Sequence, residues 1–144
     1  MKKPEPAPGL VIRYDFLWSR EQAAGKQEGV KDRPCVVVAA IIRKDDGETD
    51  VLLVPVTHSA PTQAGSAIAV PDNVNRHLGL DDAQSYVVTD EANTVSWNDP
   101  GIVPARPGRS WAYGRVPKAL FEQIRSSMLG HVRQRRLKPV QRKS

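Results

Sequence analysis

The chain of 144 residues is poor in several features that would assign it to a particular class of protein. It contains one cysteine, Cys35, so neither an intrachain disulfide nor a cysteine metal cluster can form, which fits a reducing cytoplasm. Its longest apolar run, residues 34–42, is far shorter than the roughly 20 residues of a membrane helix. The first residues lead into prolines rather than into a signal-like apolar stretch. We therefore expect a soluble, cytoplasmic protein.

Sequence signals for cofactors are also absent. The three histidines, His58, His77 and His131, have no metal-ligand spacing, and no glycine-rich segment precedes a helix in the manner of a phosphate-binding loop. We predict neither a metal nor a nucleotide cofactor.

Positive charge is concentrated at one end of the chain. The formal net charge is +5, but residues 133–144 contain six cations and no acid, and the remainder holds 15 basic and 16 acidic residues. The high isoelectric point is thus a property of this segment. Such a basic tail is either a solvated end or a contact for a polyanion.

The hydrophobic pattern predicts one domain that is mainly β with one C-terminal helix. Residues 1–8 read as a flexible leader, 9–132 as the domain and 133–144 as a flexible tail. Period-2 alternation predicts a first strand over residues 10–18, followed by a long polar loop, 19–32. β-branched runs at 34–42 and 51–57, joined by a turn, predict a central hairpin. Shorter strands are expected at 67–70, 85–89, 94–97 and 111–116, with a short helical turn within 72–82.

A single amphipathic helix is expected near the end of the domain. Pro117 stands at a favoured first-turn position, and Leu120, Ile124 and Met128 recur every four residues. Phe121 and Val132 extend this apolar stripe. Many short strands with one helix indicate a small barrel or two curved sheets against which the helix packs.

Several separated segments resemble the MazF/PemK toxin family in order and spacing, over roughly residues 9–130. Glu28 followed five residues later by Arg33-Pro34 is similar to the family's Glu-loop-Arg-Pro signature. The segment 54–57, Val-Pro-Val-Thr, looks like its strand ending in an active-site threonine. Asp15-Phe16, Asp90-Glu91, residues 94–97 and Gly114 match further positions.

This resemblance implies a small SH3-like β-barrel, a homodimer and the toxin component of a type II toxin-antitoxin system. Family members are metal-independent endoribonucleases that cleave single-stranded RNA by 2′-hydroxyl attack, leaving 2′,3′-cyclic phosphate and 5′-hydroxyl ends. The implied partners are single-stranded RNA and a cognate antitoxin, with operator DNA bound only through the antitoxin complex.

The resemblance places candidate catalytic residues at Arg33, Thr57, His58 and Asp90. The planar guanidinium of Arg33 suits two phosphate oxygens; the alternative is an ion pair with Glu28 that braces the loop. Thr57 can donate one hydrogen bond to phosphate, or simply end a strand. His58 stands where the family more often has serine or threonine, and imidazole can transfer protons near neutral pH.

The role of Asp90 stays open between proton transfer and turn formation. Family members that use this aspartate as base carry an arginine two residues earlier, where this chain has Val88. Glu91 replaces a common glutamine and adds negative charge near the expected RNA path.

Candidate RNA-binding residues lie on the two loops expected to flank the groove, 19–32 and 58–66. They are Glu28, Lys31 and Ser59, with Trp18 at the border of the first loop as a base-stacking platform. Core packing is the alternative for Trp18, Trp97 and Trp111 because aromatic side chains supply much of the buried area in small β domains.

Two other functions remain compatible with the sequence. Val88, His58 and Glu91 would suit a degenerate module that binds RNA or antitoxin without cleavage. A gyrase poison similar to CcdB would share the barrel, but its activity depends on an apolar and aromatic C-terminus, whereas this chain ends in cations.

Overall fold

The structure, a computed structural model, describes residues 2–81 and 83–142, and within them the chain forms eight strands and three helices. The strands are β1 (Leu10–Tyr14), β2 (Arg33–Ile42), β3 (Thr49–Thr57), β4 (Ala67–Ala69), β5 (Tyr86–Val88), β6 (Asn93–Ser96), β7 (Gly114–Arg115) and β8 (Val140–Gln141). The helices are α1 (Ser19–Ala23), α2 (Asp72–Leu78) and α3 (Lys118–Arg133).

The strands build one mainly antiparallel sheet. Its main path runs β4-β5-β3-β2-β1-β7, and β6 pairs with β3 and, in parallel, with β8. This confirms the prediction of a mainly β protein with a C-terminal helix. Over the described ranges the end strands β4 and β7 do not pair with each other, so hydrogen bonds do not close the sheet into a barrel.

The central hairpin forms as the sequence predicts, because both runs are rich in β-branched residues that favour a pleated, buried surface. β2 pairs with β3 from Cys35 opposite Pro55 to Ile42 opposite Thr49, with a register shift between Val37 and Ala39. This hairpin is the longest strand pair, and it fixes the start of β2 beside the end of β3.

The sheet is buried on both faces, so alternate residues of each strand enter different cores. One core contains Val11, Val36 and Val54 and is covered by α2 and α3. The other contains Ile12, Tyr14 and Val37 on the opposite face. In α3 the predicted stripe of Leu120, Ile124 and Met128 is buried. Val132 is half exposed, so its assignment to the stripe is wrong.

Described residues near both ends of the chain contact the domain. In the leader, Lys3 Nζ lies 4.6 Å from the centre of the Trp97 ring, and Trp97 Nε1 donates to the Pro4 carbonyl oxygen. In the C-terminal segment Leu137 and Val140 are buried. Each is an isolated apolar residue in a largely basic segment, so no periodic pattern in the sequence marks it.

Two of the predicted strands have clearly different boundaries in the structure. β1 ends at Tyr14, four residues before the expected end, because the chain turns into α1, whose N-cap is Trp18. The expected strand over 111–116 is reduced to β7.

In the part of the chain that the structure describes, no helix is both long and apolar enough to cross a membrane.

Candidate functional site

Five of the eight predicted site residues line one cleft, which we call the Arg33 cleft. The cleft has a volume of about 280 Å³. Antiparallel pairing explains its position, since the register that sets Cys35 opposite Pro55 brings the start of β2 beside the end of β3. Its walls are Lys31, Asp32, Arg33, Pro34, Val56, Thr57, His58, Ser59, Leu80, Ser85 and Tyr113.

Arg33 is a half-buried cation without a carboxylate partner among residues 2–81 and 83–142. Its guanidinium carbon lies 5.1 Å from the centre of the Trp18 ring, and its Nε is buried without a hydrogen-bond partner in that part of the chain. Burial lowers the pKa of Arg33 from its ordinary value, against smaller raising contributions from Cys35 and the Glu21 carboxylate. A desolvated guanidinium in this state is suited to an incoming anion.

The alternative in which Arg33 pairs with Glu28 is not found. Glu28 instead lines a second cleft, formed with Gln22, Lys26 and residues 99–101 and 141–142. Glu28 therefore lines a different cleft from Arg33, and among the described residues no ion pair braces the guanidinium.

Thr57 and Ser59 begin the loop that leaves β3. The Thr57 hydroxyl oxygen accepts a hydrogen bond from the Ser59 backbone N–H at 3.2 Å. Since the hydroxyl accepts here, its own hydrogen is available for donation. Thr57 thus offers the cleft one donor from the end of a rigid strand.

His58 has both ring nitrogens directed at oxygen atoms. Nδ1 lies 3.1 Å from the Gln84 carbonyl oxygen, and Nε2 lies 3.4 Å from Asp81 Oδ2. The Ser85 hydroxyl oxygen also lies 3.5 Å from Nδ1. The His58 side chain is 46% exposed, so a ligand in the cleft can reach it.

Lys31 also lines the cleft as expected, whereas Asp90 and Trp18 do not. Asp90 follows β5, which passes Thr57 at Tyr86 and then runs away from the cleft. Trp18 packs behind Arg33, and Arg20 lies 5.0 Å from the same ring. The guanidinium groups of Arg20 and Arg33 therefore cover the Trp18 ring. The ring positions Arg33 and is not an open platform for stacking an RNA base.

Glu91, expected to place negative charge near the RNA path, is engaged elsewhere. Its carboxylate accepts hydrogen bonds from the Ser19 backbone N–H at 2.8 Å and the Ser19 hydroxyl at 2.7 Å. These bonds tie the start of α1 to the segment before β6.

Two residues that the sequence did not single out belong to the cleft wall. Asp32 pairs with Arg13 at 3.3 Å, which directs its charge away from Arg33. Burial raises the pKa of Tyr113, whose ring lies 5.2 Å from the guanidinium carbon of Arg106. For Asp32 the sequence does hold a signal, since this residue directly precedes Arg33. For Tyr113 it holds none, because Tyr113 reaches the cleft only through the pairing of β1 with residues near β7.

The second cleft is larger, about 410 Å³, and it surrounds a buried ion pair. Arg142 Nη2 lies 3.0 Å from Asp15 Oδ2, and Arg142 Nη1 donates to the Asp15 carbonyl oxygen at 2.8 Å. Asp15 Oδ2 also accepts from the Gly29 backbone N–H at 3.3 Å. This network fixes the loop that leads to Arg33.

In the ranges that the structure covers, no group of three or more His, Cys, Asp and Glu side chains is placed to hold a metal ion. A comparison with models of known protein families and with curated proteins finds no significant match to this chain.

Proposed function

We propose that this chain is a MazF/PemK-like toxin, a metal-independent endoribonuclease that cuts single-stranded RNA in the Arg33 cleft. The observation that carries the proposal is the state of Arg33, which is half buried and lacks a carboxylate partner in the described part of the chain. A phosphate group supplies the oxygens that this guanidinium lacks. Thr57 and Lys31, in the same wall, add a neutral and a charged donor.

The reaction assigned to the cleft is an internal transesterification of RNA. The 2′-hydroxyl loses its proton to solvent and its oxygen bonds to the adjacent phosphorus, while the bond from phosphorus to the 5′-oxygen breaks. Arg33 stabilises the negative charge of the crowded phosphorane, with Thr57 donating to one of its oxygens. His58, whose side chain is exposed in the cleft wall, gives a proton to the departing 5′-oxygen, since imidazole can transfer protons near neutral pH.

The remaining features of the proposal follow from the resemblance. They are a fold related to the SH3-like barrel, here with an open sheet, a homodimer, a cytoplasmic location and inhibition by a cognate antitoxin. An acidic antitoxin segment would be attracted to the cations of the cleft, Arg33 and Lys31.

A non-cleaving RNA-binding module is the second candidate, and the position of Asp90 favours it. Asp90, the aspartate position that some family members use as base, lies outside the cleft wall, and the Asp32 carboxylate within the wall is paired with Arg13. Binding without product would then be the expected behaviour.

The test is cleavage of a long single-stranded RNA in the presence of a chelator, with both new ends mapped. Wild type should give 2′,3′-cyclic phosphate and 5′-hydroxyl ends. Arg33→Ala should reduce the rate by about 100-fold or more, because it removes the main stabilising cation. Arg33→Lys should restore only part of the activity, since lysine lacks the planar fork. The control Arg109→Ala removes an exposed cation outside the cleft and should cleave normally.

The absence of product from a folded, antitoxin-free wild type over a broad set of RNAs would exclude the ribonuclease and favour the binding module. Normal cleavage by Arg33→Ala would remove the assigned role of the cleft.

The proton donor can be tested separately with a substrate whose 5′-bridging oxygen is replaced by sulfur. A thiolate leaves without being protonated, so His58→Gln should be slow on normal RNA and close to wild type on the sulfur substrate. If His58→Gln is equally slow on both substrates, His58 is not the acid.

A further inference from the structure

Four cations project from one short segment at the end of α3, which we call the basic turn: Arg133, Arg135, Arg136 and Lys138. All four are exposed, and none forms an ion pair within residues 2–81 and 83–142. The sequence has no acidic residue from Gln123 to Ser144. The basic turn is therefore a patch of uncompensated positive charge.

The basic turn is fixed to the domain rather than free in solvent. Leu137, within it, and Val140, just after it, are buried, at 5% and 3% exposure. β8 then pairs with β6, and Arg142 reaches the buried ion pair with Asp15. Cations held on a rigid support lose less conformational freedom on binding than those of a flexible tail.

Arg135 occupies a backbone conformation that usually belongs to glycine. Its φ is 59°, and the Arg136 N–H donates to the His131 carbonyl oxygen at 2.8 Å, which is the helix-ending turn that favours glycine at this place. An arginine pays a steric cost there. Such a cost points to a use for the side chain.

The basic turn lies next to the loop that leaves the Arg33 cleft. His131, at the end of α3, is within hydrogen-bond distance of Gly65, with 2.9 Å between Nε2 and the carbonyl oxygen. Gly65 belongs to loop 58–66, whose first residues, His58 and Ser59, line the cleft. One loop thus joins the wall of the cleft to the patch of positive charge.

We propose that the basic turn binds the phosphate backbone of the RNA strand where it extends beyond the Arg33 cleft. This inference deepens the proposed function and takes its ligand from it. Arginine forks suit phosphate oxygens, three of the four cations are arginines, and the cleft at the other end of the loop is also suited to phosphate. The contact is independent of base sequence.

The expected signature is the salt dependence of binding. For single strands the slope of log K against log salt changes by about 0.7 for each phosphate contact, so four contacts contribute up to about 2.8. Between about 50 and 200 mM salt, wild type should lose roughly 50-fold more affinity than a protein without these contacts.

The experiment measures binding of a long 2′-O-methyl poly-uridylate, which lacks the attacking hydroxyl and so remains intact. The test variant is R133Q/R135N/R136Q/K138Q, in which asparagine tolerates the positive φ at position 135. The control is K44Q/R109Q/R115Q/K118Q, which removes four exposed cations elsewhere and lowers the formal charge equally. Thermal unfolding checks that both variants are folded.

The proposed RNA contact of the basic turn is supported if the slope of log K against log salt is shallower for the test variant and unchanged from wild type for the control. Equal slopes for all three proteins, or equal losses in both variants, would overturn it. A test variant that loses binding to poly-glutamate while keeping its RNA slope would also overturn it and assign the patch to an acidic protein.

Arg135→Gly gives a second, independent measurement. Glycine relieves the positive φ, so the unfolding midpoint should stay the same or rise while the salt slope falls by about 0.7. An unchanged slope would exclude Arg135 as a phosphate contact. Cleavage of long RNA reports separately on the proposed function. If wild type never cleaves but the test variant shows the change in salt slope, the ribonuclease activity is refuted and the RNA contact of the basic turn still stands.

Discussion

The ion pair between Arg142 and Asp15 makes a quantitative prediction about the C-terminal segment. The Arg142 side chain is 7% exposed and donates to Asp15 Oδ2 at 3.0 Å, to the Asp15 carbonyl oxygen at 2.8 Å and to Asn93 Oδ1 at 3.1 Å. Its guanidinium also lies 4.8 Å from the centre of the Tyr14 ring. Arg142→Met keeps the length of the side chain but removes the charge and all three hydrogen bonds.

We expect Arg142→Met to lower the free energy of unfolding by about 3 kcal/mol. Removing one partner from a buried ion pair costs about 3–5 kcal/mol, because the other charge is left uncompensated. Asp15 keeps 20% side-chain exposure and its bond from the Gly29 N–H, which places the loss at the lower end. For a domain of this size the unfolding midpoint should fall by about 10 °C.

The assay is urea unfolding followed by tryptophan fluorescence and circular dichroism. Arg136→Met is the matched control, since Arg136 is exposed, and it should change stability by less than about 0.5 kcal/mol. Asp15→Asn completes a double-mutant cycle that isolates the coupling between the two charges. If Arg142→Met and Arg136→Met have the same small effect, Arg142 is solvated and the packing of the C-terminal segment described above is refuted.

Three further outcomes are expected. Burial raises the pKa of the Cys35 thiol, which is 0% exposed, so iodoacetamide should label it in the unfolded protein and not in the native one. Asn93→Ala should cost about 2–4 kcal/mol in urea unfolding, because Asn93 bonds both the N–H and the carbonyl oxygen of Leu17 in a buried site. Gly29→Ala should lower the free energy of unfolding by about 1–3 kcal/mol, because a Cβ at this position overlaps the Phe16 carbonyl oxygen. Proteolysis of the loop before β2 should increase in this variant, and unchanged proteolysis would contradict the prediction.

The sequence predicts the parts of the fold that local pattern controls. The β-branched runs give the central hairpin, and the four-residue repeat of Leu120, Ile124 and Met128 gives the buried face of α3. The hairpin in turn brings Arg33 and Thr57 together, since both lie at the same end of paired strands. This part of the candidate site follows from strand order alone.

The features that the sequence does not predict depend on contacts between distant residues. β8 is two residues long and follows a cationic segment, so it has no period of its own. Arg142 looks like one more residue of a basic tail until the fold brings it to Asp15. The separation of Asp90 from the cleft likewise depends on the direction of β5, which no short motif encodes.

The ion pair between Asp15 and Arg142 joins residues 127 positions apart, and this separation has a consequence for protein synthesis. A ribosome that adds about 5–20 residues per second makes Arg142 roughly 6–25 s after Asp15. During this interval the nascent chain already contains the hairpin with Arg33 and Thr57, but the Asp15 carboxylate still lacks its counter-charge. This pair can therefore lock the loop before β2 only after Arg142 has been made, and the first strand pairs must hold until then.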